Sequence, residues 1–168
     1  AVEAAVAWKG AIERADGPSC LVFSRQNLPH QSRSDAQLAD IARGGYVLKD
    51  SAGAPELILI ATGSEVQFAL EARVNLKAEG INARVVSAPC LEWFFEQDPA
   101  YQESVLPKAV TARASMEAGI ALGWRGIVGD RGRSVSIEHY GASADYETLY
   151  REFGLTTEHL VAAAKESL

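Results

Sequence analysis

The chain has few of the side chains that most often build disulfide frameworks and metal sites. It contains two cysteines and three histidines among 168 residues. Cys20 and Cys90 are far apart, form no C-x-x-C pair and have no histidine at metal-ligand spacing. We therefore expect neither a disulfide framework nor a zinc site, and we expect a reducing, cytoplasmic location.

The chain also lacks an excess of basic residues and any long apolar run. Lysine and arginine number 16 against 22 acidic residues, which gives a net charge of −6 at neutral pH. Binding to a phosphate backbone needs a clustered basic face, so we expect no nucleic-acid partner. No stretch of about 18 apolar residues occurs, so we expect no membrane span. Glu3 and Glu13 interrupt the N-terminal segment, which therefore does not resemble a secretory signal.

The first 33 residues predict the end of another α/β unit. Apolar residues at helical spacing over residues 1–14 predict a helix that Gly17 and Pro18 terminate. No capping residue precedes this helix, so we expect the chain to begin inside it. Residues 19–24 predict a short buried strand. One helix and one strand cannot bury both their faces, so we assign residues 1–33 to the tail of a domain that lies upstream.

The rest of the chain predicts a linker followed by one domain. Residues 34–45 are polar, contain a short helical pattern and end in a glycine pair, as a linker would. The predicted strands that follow are Tyr46–Lys49, Leu57–Ala61, Arg84–Ser87, Ala109–Ala114 and Ser134–His139. The predicted helices are Ser64–Glu79, Ala100–Val105, Glu117–Trp124, Ser143–Phe153 and Thr157–Ser167. This alternation over residues 46–168 predicts an α/β fold, a Rossmann-like three-layer sandwich around a five-stranded, mostly parallel sheet.

Arg25 is the first candidate functional residue, because it directly follows the predicted strand of the tail. Open α/β sheets bind ligands at the carboxyl ends of their strands. A guanidinium group holds a phosphate through two parallel hydrogen bonds. Position alone leaves two alternatives, a phosphate-binding side chain or an arginine that faces solvent.

Thr62, Gly63 and Ser64 form a second candidate, at a turn from an apolar strand into a helix. Backbone N–H groups at a helix start attract anions, so this turn is a candidate anion site. The dinucleotide fingerprint G-x-G-x-x-G needs three glycines, and only Gly63 is present. The structural alternative is a capping box, in which Thr62 and Glu65 satisfy backbone N–H groups at the helix start.

Three consecutive aromatic residues, Trp93, Phe94 and Phe95, lie in a predicted loop after the third strand. Such a cluster is unusual in a loop. It indicates either buried packing or a contact surface for another subunit.

Five segments of the chain together resemble the transketolase family. They are SRQNLP (Ser24–Pro29), IARGGYVLKD (Ile41–Asp50), LIATGSEV (Leu59–Val66), ESVLPKAVTARASMEAG (Glu103–Gly119) and REFGLT (Arg151–Thr156). They occur in the family's order and with its spacing, and the likeness covers essentially the whole chain. The stretches ARGGYVL and VLP-x-x-V-x-A-R-x-x-x-E-A-G are the most specific.

The resemblance implies the C-terminal portion of a transferase that moves a two-carbon ketol unit from a ketose phosphate to an aldose phosphate in the pentose phosphate pathway. Transketolases have three α/β domains, and their active sites lie between the subunits of a homodimer. Residues 1–33 correspond to the end of the pyrimidine-binding domain, and residues 46–168 correspond to the C-terminal domain. The implied partners are the upstream domains, a second subunit and a sugar phosphate. The arginine of SRQNLP, here Arg25, corresponds to the residue that binds the sugar phosphate.

The resemblance also implies what the chain does not carry. Thiamine diphosphate and Mg²⁺ or Ca²⁺ belong to the parent enzyme, and the family's diphosphate motif, GDG followed by Asn, does not occur in this sequence. The glutamate that activates the aminopyrimidine and the catalytic histidines also belong upstream. We therefore expect no catalytic residue, metal or cofactor in this chain, and no turnover by the chain alone.

Two segments depart from the family pattern, and two other functions stay open. HYGASAD over residues 139–145 differs from FG-x-SAP, and CLEWFFEQD over residues 90–98 carries extra aromatic residues. Both lie away from Arg25 and bear on interface details. One alternative is the equivalent region of another thiamine-dependent ketol-transfer enzyme, such as dihydroxyacetone synthase or deoxyxylulose-phosphate synthase. The other is a non-catalytic regulatory or dimer-interface module.

Overall fold

A single five-stranded sheet organises the chain in the computed structural model, which describes residues 1–168. The strands are β1 (Tyr46–Lys49), β2 (Leu57–Ala61), β3 (Ala83–Ser87), β4 (Arg113–Met116) and β5 (Arg133–Val135). Their order in the sheet is β1-β3-β2-β4-β5. All neighbouring pairs are parallel except β1 and β3, which are antiparallel. The prediction of a five-stranded, mostly parallel sheet is confirmed.

Eight helices and two 3₁₀ turns surround the sheet. The helices are α1 (Val2–Glu13), α2 (Asp35–Ile41), α3 (Val66–Ala78), α4 (Leu91–Phe95), α5 (Pro99–Val105), α6 (Arg125–Val128), α7 (Tyr146–Glu152) and α8 (Thr157–Ser167), and the 3₁₀ turns are Gly63–Glu65 and Ala121–Gly123. Side chains of Ser34, Asp98, Asp145 and Thr156 accept backbone N–H bonds at the starts of α2, α5, α7 and α8, which explains why these helices begin where they do. None of the eight has both the length and the apolar character needed to cross a bilayer.

The fully apolar strand β2 lies at the centre of two hydrophobic layers. Leu57, Leu59 and Ala61 pack into one core together with residues of α3 and α8. Ile58 and Ile60 point to the opposite face and pack into a second core with residues of α4, α5 and α6. A strand covered on both faces is apolar throughout, because successive side chains face opposite layers. The predicted three-layer sandwich is therefore confirmed.

The N-terminal helix α1 packs on this same sandwich. Val2 and Val6 lie against the core that contains α3 and α8. A Cβ at Gly10 would overlap the ring of Trp93 on α4, so the glycine gives this ring the space to pack on α1. Because α1 contacts the domain directly, the division into residues 1–33, 34–45 and 46–168 stays a prediction.

The predicted strand at residues 19–24 is wrong. The segment forms no strand, and Cys20, Val22 and Phe23 are exposed. No neighbouring strand is available for its backbone to pair with, and β-propensity reflects packing against neighbours more than an intrinsic preference.

Several element boundaries also differ from the predictions. β4 begins at Arg113 and not at Ala109, because a turn in which Val110 N–H donates to the Pro107 carbonyl occupies the preceding residues. β5 ends at Val135 and not at His139. The predicted helix Glu117–Trp124 is replaced by a 3₁₀ turn and α6, since the Gly119 carbonyl accepts a bond from Ile137 N–H.

The aromatic cluster lies in helix α4 and not in a loop. Phe94 is buried in the second core, and Trp93 contacts α1 at Gly10. Phe95 is 54% exposed. The packing interpretation therefore holds for Trp93 and Phe94, while Phe95 faces solvent.

Candidate functional site

Arg25 lies in the long connection between α1 and α2. Its side chain is exposed. The structure contains nine ion pairs, and none of them includes Arg25. An exposed guanidinium without a carboxylate partner keeps its fork of N–H donors available for an anion.

Both neighbours of Arg25 lie near the 3₁₀ turn that follows β2 or near its partner Tyr150. Ser24 Oγ lies 3.9 Å from the position that a Cβ at Gly63 would occupy. Gln26 Nε2 donates to the hydroxyl of Tyr150 on α7 at 3.5 Å. The structure therefore brings the segment of Arg25 to the turn that contains the second predicted site.

A buried polar cluster, formed by Ser64, Glu65 and Tyr150, lies behind this contact. Glu65 is only 3% exposed. Its Oε1 accepts hydrogen bonds from the Tyr150 hydroxyl at 2.5 Å and from Ser64 Oγ at 2.9 Å. Ser64 Oγ and the Tyr150 hydroxyl are 3.0 Å apart. No fully buried side-chain oxygen of the cluster lacks a hydrogen-bond partner, as burial requires.

Burial also sets the protonation behaviour of this cluster. Loss of water raises the pKa of the Glu65 carboxyl above its ordinary value, although the bonds from Tyr150 and Ser64 oppose the rise. Burial and the hydrogen bond to Glu65 raise the pKa of Tyr150 to about 12. The Tyr150 hydroxyl therefore keeps its proton at physiological pH and donates a hydrogen bond to Glu65.

The predicted capping box at Thr62 and Glu65 is wrong. Thr62 makes no side-chain capping bond, and the Glu65 carboxylate turns inward to Tyr150. The anion site at Thr62, Gly63 and Ser64 stays a prediction. The Ser64 hydroxyl is already engaged, and a buried carboxylate next to the turn disfavours a second negative charge.

A second polar cluster ties helix α1 and the C-terminal end of the Arg25 segment (residues 14–34, between α1 and α2) to the sheet. Glu3 Oε1 accepts hydrogen bonds from Ser87 Oγ at 2.6 Å, from the Tyr46 hydroxyl at 2.7 Å and from Arg33 Nη2 at 3.2 Å. Arg33 Nε donates to the Tyr46 hydroxyl at 2.9 Å. Tyr46 and Ser87 are buried. Burial is the main cause that raises the pKa of the Tyr46 hydroxyl, and the negative charge of Glu3 raises it further. Glu3 on α1 and Arg33 before α2 are thus fixed to the ends of β1 and β3.

Sequence reasoning missed this second cluster and the role of Tyr150. Glu3 and Arg33 are 30 positions apart and each stands in an ordinary polar context. Tyr46 lies inside the segment ARGGYVL, yet neither spacing nor periodicity indicates its partner. These contacts depend on how α1 packs on the sheet, and no local sequence pattern predicts that packing.

A small cleft separates the Arg25 segment from the domain. Its volume is about 140 Å³, and it is lined on one side by Leu28, Pro29 and His30 and on the other by Gly63 and Gln67. The cleft is too small for a whole sugar phosphate, since ligand pockets usually measure about 300–1,000 Å³.

The residues of this chain do not form a magnesium–diphosphate site. No group of three or more histidine, cysteine or acidic side chains lies close enough together to hold a metal ion. Magnesium needs several oxygen ligands in a near-octahedral arrangement. What the site offers chemically is an exposed guanidinium on a firmly attached segment.

The fold and the segment order define an α/β domain of the transketolase type. Residues 44–156, well over half of the chain, match the family model described as the transketolase-like TK C-terminal domain. The chain belongs to this family. The resemblance inferred from the five sequence segments is confirmed.

Individual relatives support the same assignment. The chain is 59% identical over 167 residues to transketolase 1 from Escherichia coli (strain K12), a match that covers 99% of this chain and 25% of that protein. Among solved structures, transketolase from Leishmania mexicana superposes with a TM-score of 0.90 at 35% identity, over 98% of this chain and 23% of that one. A Pichia stipitis transketolase in complex with sedoheptulose-7-phosphate gives a TM-score of 0.86 at 33% identity, over 98% and 24% of the two chains. The chain thus spans about a quarter of the length of the relatives it matches.

Proposed function

We propose that this chain works as the C-terminal part of a transketolase, which transfers a two-carbon ketol unit from a ketose phosphate to an aldose phosphate in the pentose phosphate pathway. The observation that carries the proposal is the 59% identity along 99% of the chain to a transketolase. In this proposal the parent enzyme is a cytoplasmic homodimer. Its upstream domains hold thiamine diphosphate and Mg²⁺ or Ca²⁺.

Within this enzyme, Arg25 binds the phosphate of the sugar substrate. Its exposure, its lack of a carboxylate partner and its place at the carboxyl edge of the sheet support this role. A related solved enzyme was captured with sedoheptulose-7-phosphate, a sugar phosphate. Thiamine diphosphate supplies the carbanion-stabilising chemistry, and the residues of this chain bind and orient the phosphate end of the substrate.

The test of this role is Arg25→Ala in the full-length enzyme. A charge-assisted hydrogen bond is worth about 1.5–3 kcal/mol, so we expect KM for a ketose phosphate to rise about 10- to 100-fold. KM for the same ketose without its phosphate should not change. Steady-state kinetics with both substrates measures the difference. Arg25→Lys keeps the charge but loses the bidentate fork, so its KM for the ketose phosphate should lie between those of the starting enzyme and Arg25→Ala. An equal rise in KM for both substrates would refute the assignment.

The alternative of a regulatory module with an anion at Thr62, Gly63 and Ser64 has a different signature. Binding of inorganic phosphate would then survive Arg25→Ala and be lost in Gly63→Val. The buried Glu65 beside the turn leads us to expect the opposite pattern. Isothermal titration of both variants separates the two functions.

A further inference from the structure

We propose that Tyr150 is a positioning residue for the Arg25 segment, which it holds at the carboxyl edge of the sheet through Gln26. The C-terminal domain then contributes to substrate affinity through this contact, although it does not touch the reacting atoms. The inference rests on the proposed role of Arg25 in binding phosphate.

The first step is the position of the Tyr150 hydroxyl. It accepts a hydrogen bond from Gln26 Nε2 at 3.5 Å and donates one to Glu65 Oε1 at 2.5 Å. Gln26 is the residue directly after Arg25, so a shift of its side chain moves the backbone that carries the guanidinium. A displacement of about 1 Å in such a contact is enough to weaken substrate positioning strongly.

The second step is the rigidity of Tyr150 itself. Glu65 and Ser64, both buried in the 3₁₀ turn that follows β2, fix its hydroxyl. Its ring packs against Phe68 with centroids 5.9 Å apart and against Tyr146 with centroids 6.0 Å apart. A side chain held at its ring and its hydroxyl presents a fixed acceptor to Gln26.

The third step is that the Arg25 segment has no regular structure of its own. No helix or strand lies between Glu13 and Asp35. Connections of this length without secondary structure are uncommon unless they are functional or disordered. The bonds from Arg33 to Glu3 and Tyr46 fix its C-terminal end, and the bond from Gln26 to Tyr150 holds its middle next to Arg25.

The experiment compares Tyr150→Phe with Tyr146→Phe in the full-length enzyme. Both variants lose one hydroxyl on α7, but the Tyr146 hydroxyl bonds only to the exposed Glu147. One neutral hydrogen bond supports a change of about 3- to 10-fold, so Tyr150→Phe should raise KM for a ketose phosphate by that factor. We expect kcat to stay within about twofold, since the bond does not reach the reacting atoms. KM for the unphosphorylated ketose should not change in Tyr150→Phe. In Tyr146→Phe, kcat and KM for the ketose phosphate should both stay at the values of the starting enzyme.

A double variant distinguishes positioning from a merely structural role. If Tyr150 acts through Arg25, then Tyr150→Phe has no further effect on KM in the Arg25→Ala background. Should Tyr150→Phe fold poorly, Gln26→Met removes the same contact and leaves the bond between Tyr150 and Glu65 intact. It should raise KM for the ketose phosphate by a similar factor.

The outcomes separate this inference from the proposed function. If Arg25→Ala raises KM for the ketose phosphate while Tyr150→Phe and Gln26→Met do not, the positioning role is overturned and the phosphate role stands. A further rise in KM in the double variant also overturns positioning. If Arg25→Ala itself has no phosphate-specific effect, the phosphate role of Arg25 is overturned, and the positioning role of Tyr150 is overturned with it.

Discussion

At the scale of single residues, the buried carboxylate of Glu65 and the half-buried carboxylate of Glu3 organise the region around Arg25. Glu3 uses one oxygen to accept bonds from Ser87, Tyr46 and Arg33, and Glu65 uses one oxygen to accept bonds from Tyr150 and Ser64. A charge that leaves water needs such donors, because an unpaired buried carboxylate is strongly destabilising. Arg25, in contrast, has no protein partner. The arrangement leaves the Arg25 guanidinium free on a segment that Gln26 and Arg33 bond to the rest of the chain.

The elevated pKa of Glu65 predicts a pH dependence of stability. In the folded state the Glu65 carboxyl has a pKa above its ordinary value of 4.5, so it stays protonated to a higher pH than in the unfolded chain. The stability that this proton contributes is therefore fully present below about pH 4.5 and is lost as the pH rises through the folded pKa. The free energy of unfolding of the native chain, relative to that of Glu65→Gln, should therefore fall as pH rises from about 4.5 and then level off. Urea denaturation at a series of pH values measures this difference. Glu96→Gln, which removes an exposed carboxylate, is the control, and a difference that stays flat for Glu65→Gln would contradict the cause we assign.

The candidate site was predictable from the sequence only in part. Arg25 was a candidate because it follows residues 19–24, a predicted strand that does not form, and the resemblance of SRQNLP to a family segment favoured phosphate binding over a solvent-facing arginine. Its role in binding phosphate stays a prediction. Glu65 was assigned to a capping box because its spacing from Thr62 fits that local pattern. Burial overrides the pattern here, since a carboxylate 3% exposed is held by Tyr150, a residue 85 positions away. Partners so distant in sequence are fixed by the tertiary fold.

At the scale of elements, β2 and α3 carry the central packing. All five residues of β2 are buried, and α3 covers the face formed by Leu57, Leu59 and Ala61 with its own buried residues Val66, Ala69, Ala72 and Leu76. Alternate faces of β2 serve different cores, so a cavity on either side weakens the sheet that positions the turn at Gly63. The Arg25 segment depends on that turn through Ser24 and through the Ser64 cluster.

This packing predicts a sharp contrast along α3. Leu76→Ala removes a fully buried side chain and should lower the free energy of unfolding by about 2–5 kcal/mol. Val74→Ala, two residues earlier on the exposed face, should change it by less than about 0.5 kcal/mol. Urea denaturation of both variants provides the measurement. Similar losses in the two variants would mean that α3 does not pack on the sheet as described.

Elements with a continuous apolar run were predicted well, and elements with mixed sequence were not. The run LILIA of β2 is typical of a strand covered on both faces, and the predicted bounds Leu57–Ala61 were correct. β4 and β5 are short and carry polar residues, so their ends are decided by turns and by bonds from neighbouring segments. Residues 19–24 have strand-like composition but no strand to pair with. Propensity cannot report whether a partner exists.

At the scale of the whole molecule, the chain is a domain with an additional N-terminal segment docked on it. The outer face of this segment is apolar: Trp8 is 55% exposed and Ile12 77% exposed, and Val22 and Phe23 are exposed beside them. The rings of Trp8 and Phe23 stack with centroids 6.3 Å apart. Exposed clusters of this kind mark contact surfaces. Under the proposed function, we expect the upstream domains of the parent enzyme to cover it.

The most direct test of the account replaces the matching C-terminal quarter of Escherichia coli transketolase 1 with this chain and measures ketol transfer between sugar phosphates. The chimera is expected to turn over with a KM for the ketose phosphate close to that of the starting enzyme. The purified 168-residue chain alone, given thiamine diphosphate and magnesium, is expected to show no turnover. A folded, cofactor-loaded chimera without ketol transfer, or turnover by the chain alone, would contradict the account.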